Sequence, residues 1–199
     1  PLFPVGWWLV AAGVYKGQVG WYAAGKGLPG RHESTVEADT TLKGRLVVAA
    51  DGAGAAVACE DLRLELPLRP EVATYFMGLG LSARKTPASY TWRWTGPYNS
   101  FWIGNAQAGL HVKLLGSSYE GPMQNLYHPK PPPRWFNGGS GGVTLTNGPQ
   151  GEVRVQIFTG PLELKAGEQR VFDFALLVTP VKRLDPATHF RERYWHSTA

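Results

Sequence analysis

At 199 residues and 43% hydrophobic content the chain can bury a full core as one domain, which sets disorder aside. Its net charge of +5 comes from Lys and Arg scattered among acids, with no focused basic stripe and no recognition motif, so nucleic acid is not an expected partner. No run approaches the roughly 18 apolar residues of a membrane span, and 25 Gly with 16 Pro point to an all-β chain of short strands joined by turns.

The opening PLFPVGWWLVAAGV is apolar but short, with neither an initiating Met nor a basic n-region, and reads as a strand of a processed or excised chain. Strands are predicted at Trp7–Ala12 and Val19–Ala23, then, after the loop GKGLPGRHE, at Ser34–Ala38 and Arg45–Ala50. Asp51-Gly52 is a turn dipeptide, and the alternating Leu62, Leu64, Leu66 and Leu68 beyond it predict the returning arm of a hairpin. Cys59 stands alone, so it forms no internal disulfide and reads as a small buried thiol. Pro70 opens a predicted short helix through PEVATYFMG, with Val72, Tyr75 and Phe76 on one side and Gly78 as the stop.

Further along, Tyr90, Trp92 and Trp94 alternate with polar residues and share one strand face. Phe101–Gly104 and Leu110–Leu115 flank an NAQAG turn, with Trp102 assigned to the core. Val143–Thr146, Glu152–Thr159 and Arg170–Thr179 complete the strand set. Asp185-Pro186 then starts a terminal helix that sets Phe190 and Tyr194 four apart on one face. The result is a large antiparallel β-sandwich over residues 1–180, with one or two short helices, followed by a helical linker over 181–199.

The loop HPKPPPRWFNGGSGG, residues 128–142, is the best candidate for a function, because long structureless loops are uncommon in compact domains unless they bind or move. Trp135 can stack on the apolar face of a sugar ring, while Arg134 and Asn137 can donate hydrogen bonds to its hydroxyls. Tyr127, Trp92 and Trp94 can extend that surface into a groove. The competing reading makes Trp135 and Phe136 anchors of the loop, and Trp92 and Trp94 filling for the core or for an interface. GGSGG lacks the Lys and Ser/Thr of a phosphate loop and the strand-to-helix setting of a nucleophile elbow. None of the five His residues has a ligand-spaced neighbour, so no metal or cofactor is expected. Glu60-Asp61 and Glu33/Glu37 read as turn or surface charges.

The blocks DLRLELPLRPEVATYF, FWIGNAQAGL, PPPRWFNGGSGG and FALLVTPVKRLDPATHFRERYWH occur in this order between about Leu42 and His196. Together they resemble the β-sandwich region of bacterial glycoside hydrolase family 123-like proteins. The resemblance implies a sandwich that precedes a catalytic (β/α) barrel, in an enzyme that removes N-acetyl-β-galactosamine from glycans with retention. In such enzymes the substrate's acetamido group is the nucleophile, and an Asp-Glu pair in the barrel orients it and supplies the acid/base, without a metal. This sequence has no Asp-Glu dipeptide, its Glu60-Asp61 being reversed, and no eightfold alternation of strands and helices. No catalytic residue is therefore carried over. The expected role is a non-catalytic accessory sandwich of an extracellular or periplasmic enzyme, partnered by the C-terminal barrel of the same parent chain and by glycan. Two rivals remain: a stand-alone carbohydrate-binding module with Trp92, Trp94, Tyr127 and Trp135 along its groove, and a structural domain that associates through Phe190, Tyr194 and Trp195.

Overall fold

The computed structural model describes residues 20–24, 30–36, 41–50, 56–95, 98–116 and 131–180. Period-two alternation dominates these segments, and they form strands that pair antiparallel throughout. One sheet has five strands in the order β1 (Gly20–Ala24), β5 (Asp61–Leu68), β12 (Val153–Phe158), β11 (Gly142–Asn147) and β8 (Ser89–Arg93). The other has seven: β2 (Gly30–Val36), β3 (Thr41–Ala49), β14 (Gln169–Thr179), β10 (Gly109–Leu115), β9 (Ser100–Gly104), β6 (Tyr75–Gly78) and β7 (Leu81–Lys85). A two-strand ribbon joins β13 (Leu162–Leu164) to β4 (Val57–Cys59). The expected all-β sandwich is what the chain forms.

One apolar layer lies between the sheets. Leu62, Leu64, Leu66 and Leu68 of β5 and Val155 and Ile157 of β12 enter it from one side. Phe76, Phe101, Ile103, Leu110, Val112, Phe172, Phe174 and Leu176 enter from the other. Phe76 stacks on Phe101 at 5.5 Å between centroids and meets Tyr90 of the opposite sheet at 6.4 Å, and the Tyr90 hydroxyl donates to the Leu79 carbonyl at 2.8 Å. Each fully buried side chain of this size contributes about 1.5–3 kcal/mol. Cys59 is buried, as expected of a lone thiol, and its Sγ contacts the Asp61 carbonyl at 3.3 Å.

Several expectations need correction. The strands on either side of Asp51-Gly52 do not form a hairpin: β3 pairs with β2 and β14, whereas β5 pairs with β1 and β12 in the other sheet. Residues 50–60 separate them, long enough for the chain to cross the sandwich, so both strands bury their apolar faces from opposite sides. The predicted helix after Pro70 stops after one turn, in which the Val72 and Ala73 amides donate to the Arg69 carbonyl at 3.0 and 2.9 Å. From Tyr75 the chain is strand, and Tyr75 and Phe76 point to opposite faces, the first exposed and the second buried. Pairing with β9 and β7 satisfies more backbone groups than a short isolated helix would. Trp102 also departs from its core assignment, since it projects from β9 on the side opposite Phe101 and Ile103 and is half-buried. The expected strand Trp7–Ala12, the Asp51-Gly52 turn and the linker 181–199 lie outside the described residues.

The turn from β13 to β14 is closed by Glu168, which accepts from the Lys165 amide at 2.9 Å and from the Arg170 guanidinium at 2.8 Å. Arg170 above all, then the Lys165 amide, hold its carboxyl down to about 2 against an ordinary 4.5. A depressed folded value means that this stabilisation is complete above pH 4.5 and fades as pH falls towards 2. Urea unfolding across that range should therefore find Glu168→Gln less stable than the parent chain at pH 7, with the gap closing between pH 4.5 and 2.

Candidate functional site

A sandwich consumes one face of each sheet and leaves the other to solvent. On the five-stranded sheet the register sets Arg63, Phe158, Gly142 and Arg93 in one outward row across β5, β12, β11 and β8. The next row holds Glu65, Gln156, Thr144 and Thr91. Arg63, Phe158 and Arg93 of the first row and Gln156, Thr144 and Thr91 of the second, with Glu60, Asp61, Ser140, Gly160 and Pro161 at the rim, line an open cleft of about 540 Å³.

The Phe158 ring can reach across its neighbour because Gly142 carries no side chain: a Cβ there would lie 2.8 Å from the ring's Cζ. The Arg93 guanidinium sits 4.8 Å from the ring centroid, giving a mixed aromatic and cationic wall. Arg93 also donates to the Ser140 carbonyl, which ties this wall to the 131–142 loop. Asp61 accepts from the Gly160 amide at 2.9 Å through one oxygen and pairs with Arg63 through the other. Both its oxygens thus take part in shaping the rim. Gln156 donates to Glu65 at 2.6 Å. Two carboxylates and two guanidiniums line the cleft, so it is close to electroneutral and suits an uncharged polyhydroxylated ligand better than a phosphate. An aromatic wall flanked by hydroxyl, amide and guanidinium groups offers an apolar face and hydrogen-bond partners side by side.

The residues singled out in the sequence are differently placed. Trp135 sits on a single-turn helix, α1 (Pro133–Phe136), and is fully buried, its indole N–H donating to the Asp173 carbonyl at 2.8 Å and its ring edge-on to Phe172 at 5.3 Å. Trp92 and Trp94 are buried with their rings 4.7 Å apart, and Phe136 meets Trp94 edge-on at 6.3 Å. None of the three offers an open ring face to a sugar. The Asn137 amide donates to the Thr159 and Pro161 carbonyls at 3.0 and 2.7 Å, so it fixes the end of α1. Arg134 is exposed, and Tyr127 lies outside the described residues. The loop's described part is therefore pinned by its aromatics, and it meets the cleft through Ser140. Sequence reading missed Arg63, Arg93, Gln156 and Phe158 because each is an outward residue of a strand, indistinguishable by alternation from ordinary solvated surface. Among the described residues, no group of three or more His, Cys, Asp and Glu side chains comes together.

Fold and cleft together define an antiparallel β-sandwich domain with a near-neutral, aromatic-walled cleft on one outer face. The chain belongs to the family described as glycoside hydrolase 123, third domain, whose model matches residues 10–180. No curated protein matches the sequence. Among solved structures, it is similar to a TPR-domain-containing protein from Parabacteroides distasonis ATCC 8503, at 14% identity and a TM-score of 0.43 over 92% of this chain and 36% of that one. It is also similar to an Escherichia coli K12 protein assigned provisionally as an aldose 1-epimerase, at 11% identity and a TM-score of 0.40 over 81% of this chain and 68% of that one. The chain thus spans about a third of the length of the first of these structures.

If Trp135 is an anchor, Trp135→Ala should cost about 3–5 kcal/mol in urea unfolding, the range for emptying a large aromatic site. Arg134→Ala next to it should stay within about 0.5 kcal/mol.

Proposed function

We propose that the chain is the non-catalytic accessory sandwich of a glycan-degrading glycoside hydrolase of the N-acetyl-β-galactosaminidase type. In this reading it supports a C-terminal (β/α) barrel of the same parent chain, through a linker over residues 181–199, and lends the cleft beside Phe158 and Arg93 to the glycan. Catalysis belongs to the barrel, and the enzyme works outside the cell or in the periplasm, where polymeric glycans are met. The observation that carries the reading is the family match over residues 10–180. The near-neutral cleft on the outer face supports it.

In the full-length enzyme, Phe158→Ala combined with Arg93→Ala should raise KM about tenfold and leave kcat within about twofold, the signature of lost binding that ground state and transition state share. Unchanged kinetics would remove the cleft from substrate binding. The second reading, a stand-alone carbohydrate-binding module, draws on the cleft being built wholly from this domain. Calorimetric titration of the 199-residue chain separates the two. Saturable binding of N-acetylgalactosamine-containing oligosaccharides, with a Kd on the order of 1 mM and lost in the double variant, favours a self-sufficient module. No saturation at about 10 mM, for these or for plain glucans and galactans, counts against it.

A further inference from the structure

The outer face of the seven-stranded sheet is not uniform. Over β2, β3 and the start of β14 it is polar, with Glu33, Thr35, Lys43, Arg45 and Asp173 outward, and Arg45 pairs with Asp173 at 2.7 Å. At the opposite corner the alternation rule breaks. The register places Met77, Trp102, His111 and Leu177 in one outward row across β6, β9, β10 and β14, with Tyr75, Gly104, Gly109 and Thr179 in the next. Tyr75 is 48% and Met77 50% exposed.

Trp102 is laid flat in the middle of this corner. A Cβ at Gly104 or Gly109 would fall 2.7 or 2.6 Å from its Cζ2, so both glycines are needed for the indole to lie on the backbone. Its N–H donates to the Thr179 hydroxyl at 2.8 Å. The indole is therefore fixed in place with its polar atom satisfied. Burial and then Lys113 hold the His111 imidazole below its usual value, which favours its neutral form and keeps the row uncharged at neutral pH.

We propose that this corner, Tyr75, Met77, Trp102 and Leu177, is the docking surface for the domain that follows in the same polypeptide. The inference rests on the accessory-domain reading above and identifies the surface that reading leaves open. Three observations select that occupant. The family is that of a third domain, which supplies neighbours in one chain. The chain leaves the sheet at Thr179, the residue bonded to Trp102, so whatever succeeds Pro180 starts at the rim of the patch. Lys85 is paired with Tyr75, so the apolar centre carries a cation at its β7 edge, suited to a partner whose apolar patch is edged there by a carboxylate.

The test is thiol labelling of Met77→Cys and, separately, Tyr75→Cys, in the 199-residue chain and in the full-length polypeptide, with sites assigned by mass. Cys59 is buried and gives a low background, and Ala166→Cys in the exposed turn between β13 and β14, away from both the cleft and the Trp102 corner, is the control. Both introduced thiols should label more than about tenfold slower in the full-length polypeptide, with the control unchanged. Equal rates in the two contexts overturn the proposal. So does protection that is already present in the 199-residue chain and deepens with its concentration, because the occupant is then a second copy. N-acetyl-β-galactosaminide hydrolysis by the full-length polypeptide is scored separately. Protection without hydrolysis rejects the glycosidase reading and keeps the docking surface, and hydrolysis without protection does the reverse.

Discussion

A single apolar layer between two antiparallel sheets governs the rest of this structure. The leucines of β5, the valine and isoleucine of β12 and the phenylalanines of the facing sheet remove one face of each sheet from water. Because a strand turns alternate side chains to opposite faces, the same alternation that builds the layer assigns every intervening residue to an outer surface. The cleft and the Trp102 corner are what the chain does with those two remaining faces. They lie on opposite sheets, so the two proposed roles do not compete for one surface.

Aromatic residues take three roles here, set by what lies beneath them. Trp135 reaches through the loop into the core and finds a backbone acceptor there. Phe158 crosses a glycine on the outer face and meets a guanidinium. Trp102 lies on two paired glycines, with a threonine hydroxyl closing its hydrogen bond. Loop sequence alone gives Trp135 the most functional promise, yet of the three it is the most thoroughly enclosed.

Strict alternation made β5, β8, β9, β10, β12 and β14 legible in the sequence, because each buries every second residue. The edge strand β7 escaped notice because it pairs on one side only, and its LSARK segment carries no buried alternation to read. Val72, Tyr75 and Phe76 suit a helical face by spacing, and only pairing partners distant in sequence decide for a strand. The Asp-Gly signal marks a turn but says nothing about which sheet receives the next strand. The cleft was the least legible part: its walls come from β5, β8, β11 and β12, and register, which sequence does not display, brings them together. The family resemblance was legible because order and spacing of whole blocks are properties of the sequence itself.

Strand β14 pairs with β3 along one edge and with β10 along the other. It is also the last described strand in the chain, so on a ribosome the seven-stranded sheet exists as two unjoined halves until residue 179 has emerged. Both halves then present bare strand edges and half of an uncovered core, the state most exposed to mispairing. Closing them is a long-range event, which makes folding slow and concerted and places it after synthesis of the domain is nearly complete. A nascent chain of this kind exposes unpaired edges for longer than one whose sheets are assembled hairpin by hairpin.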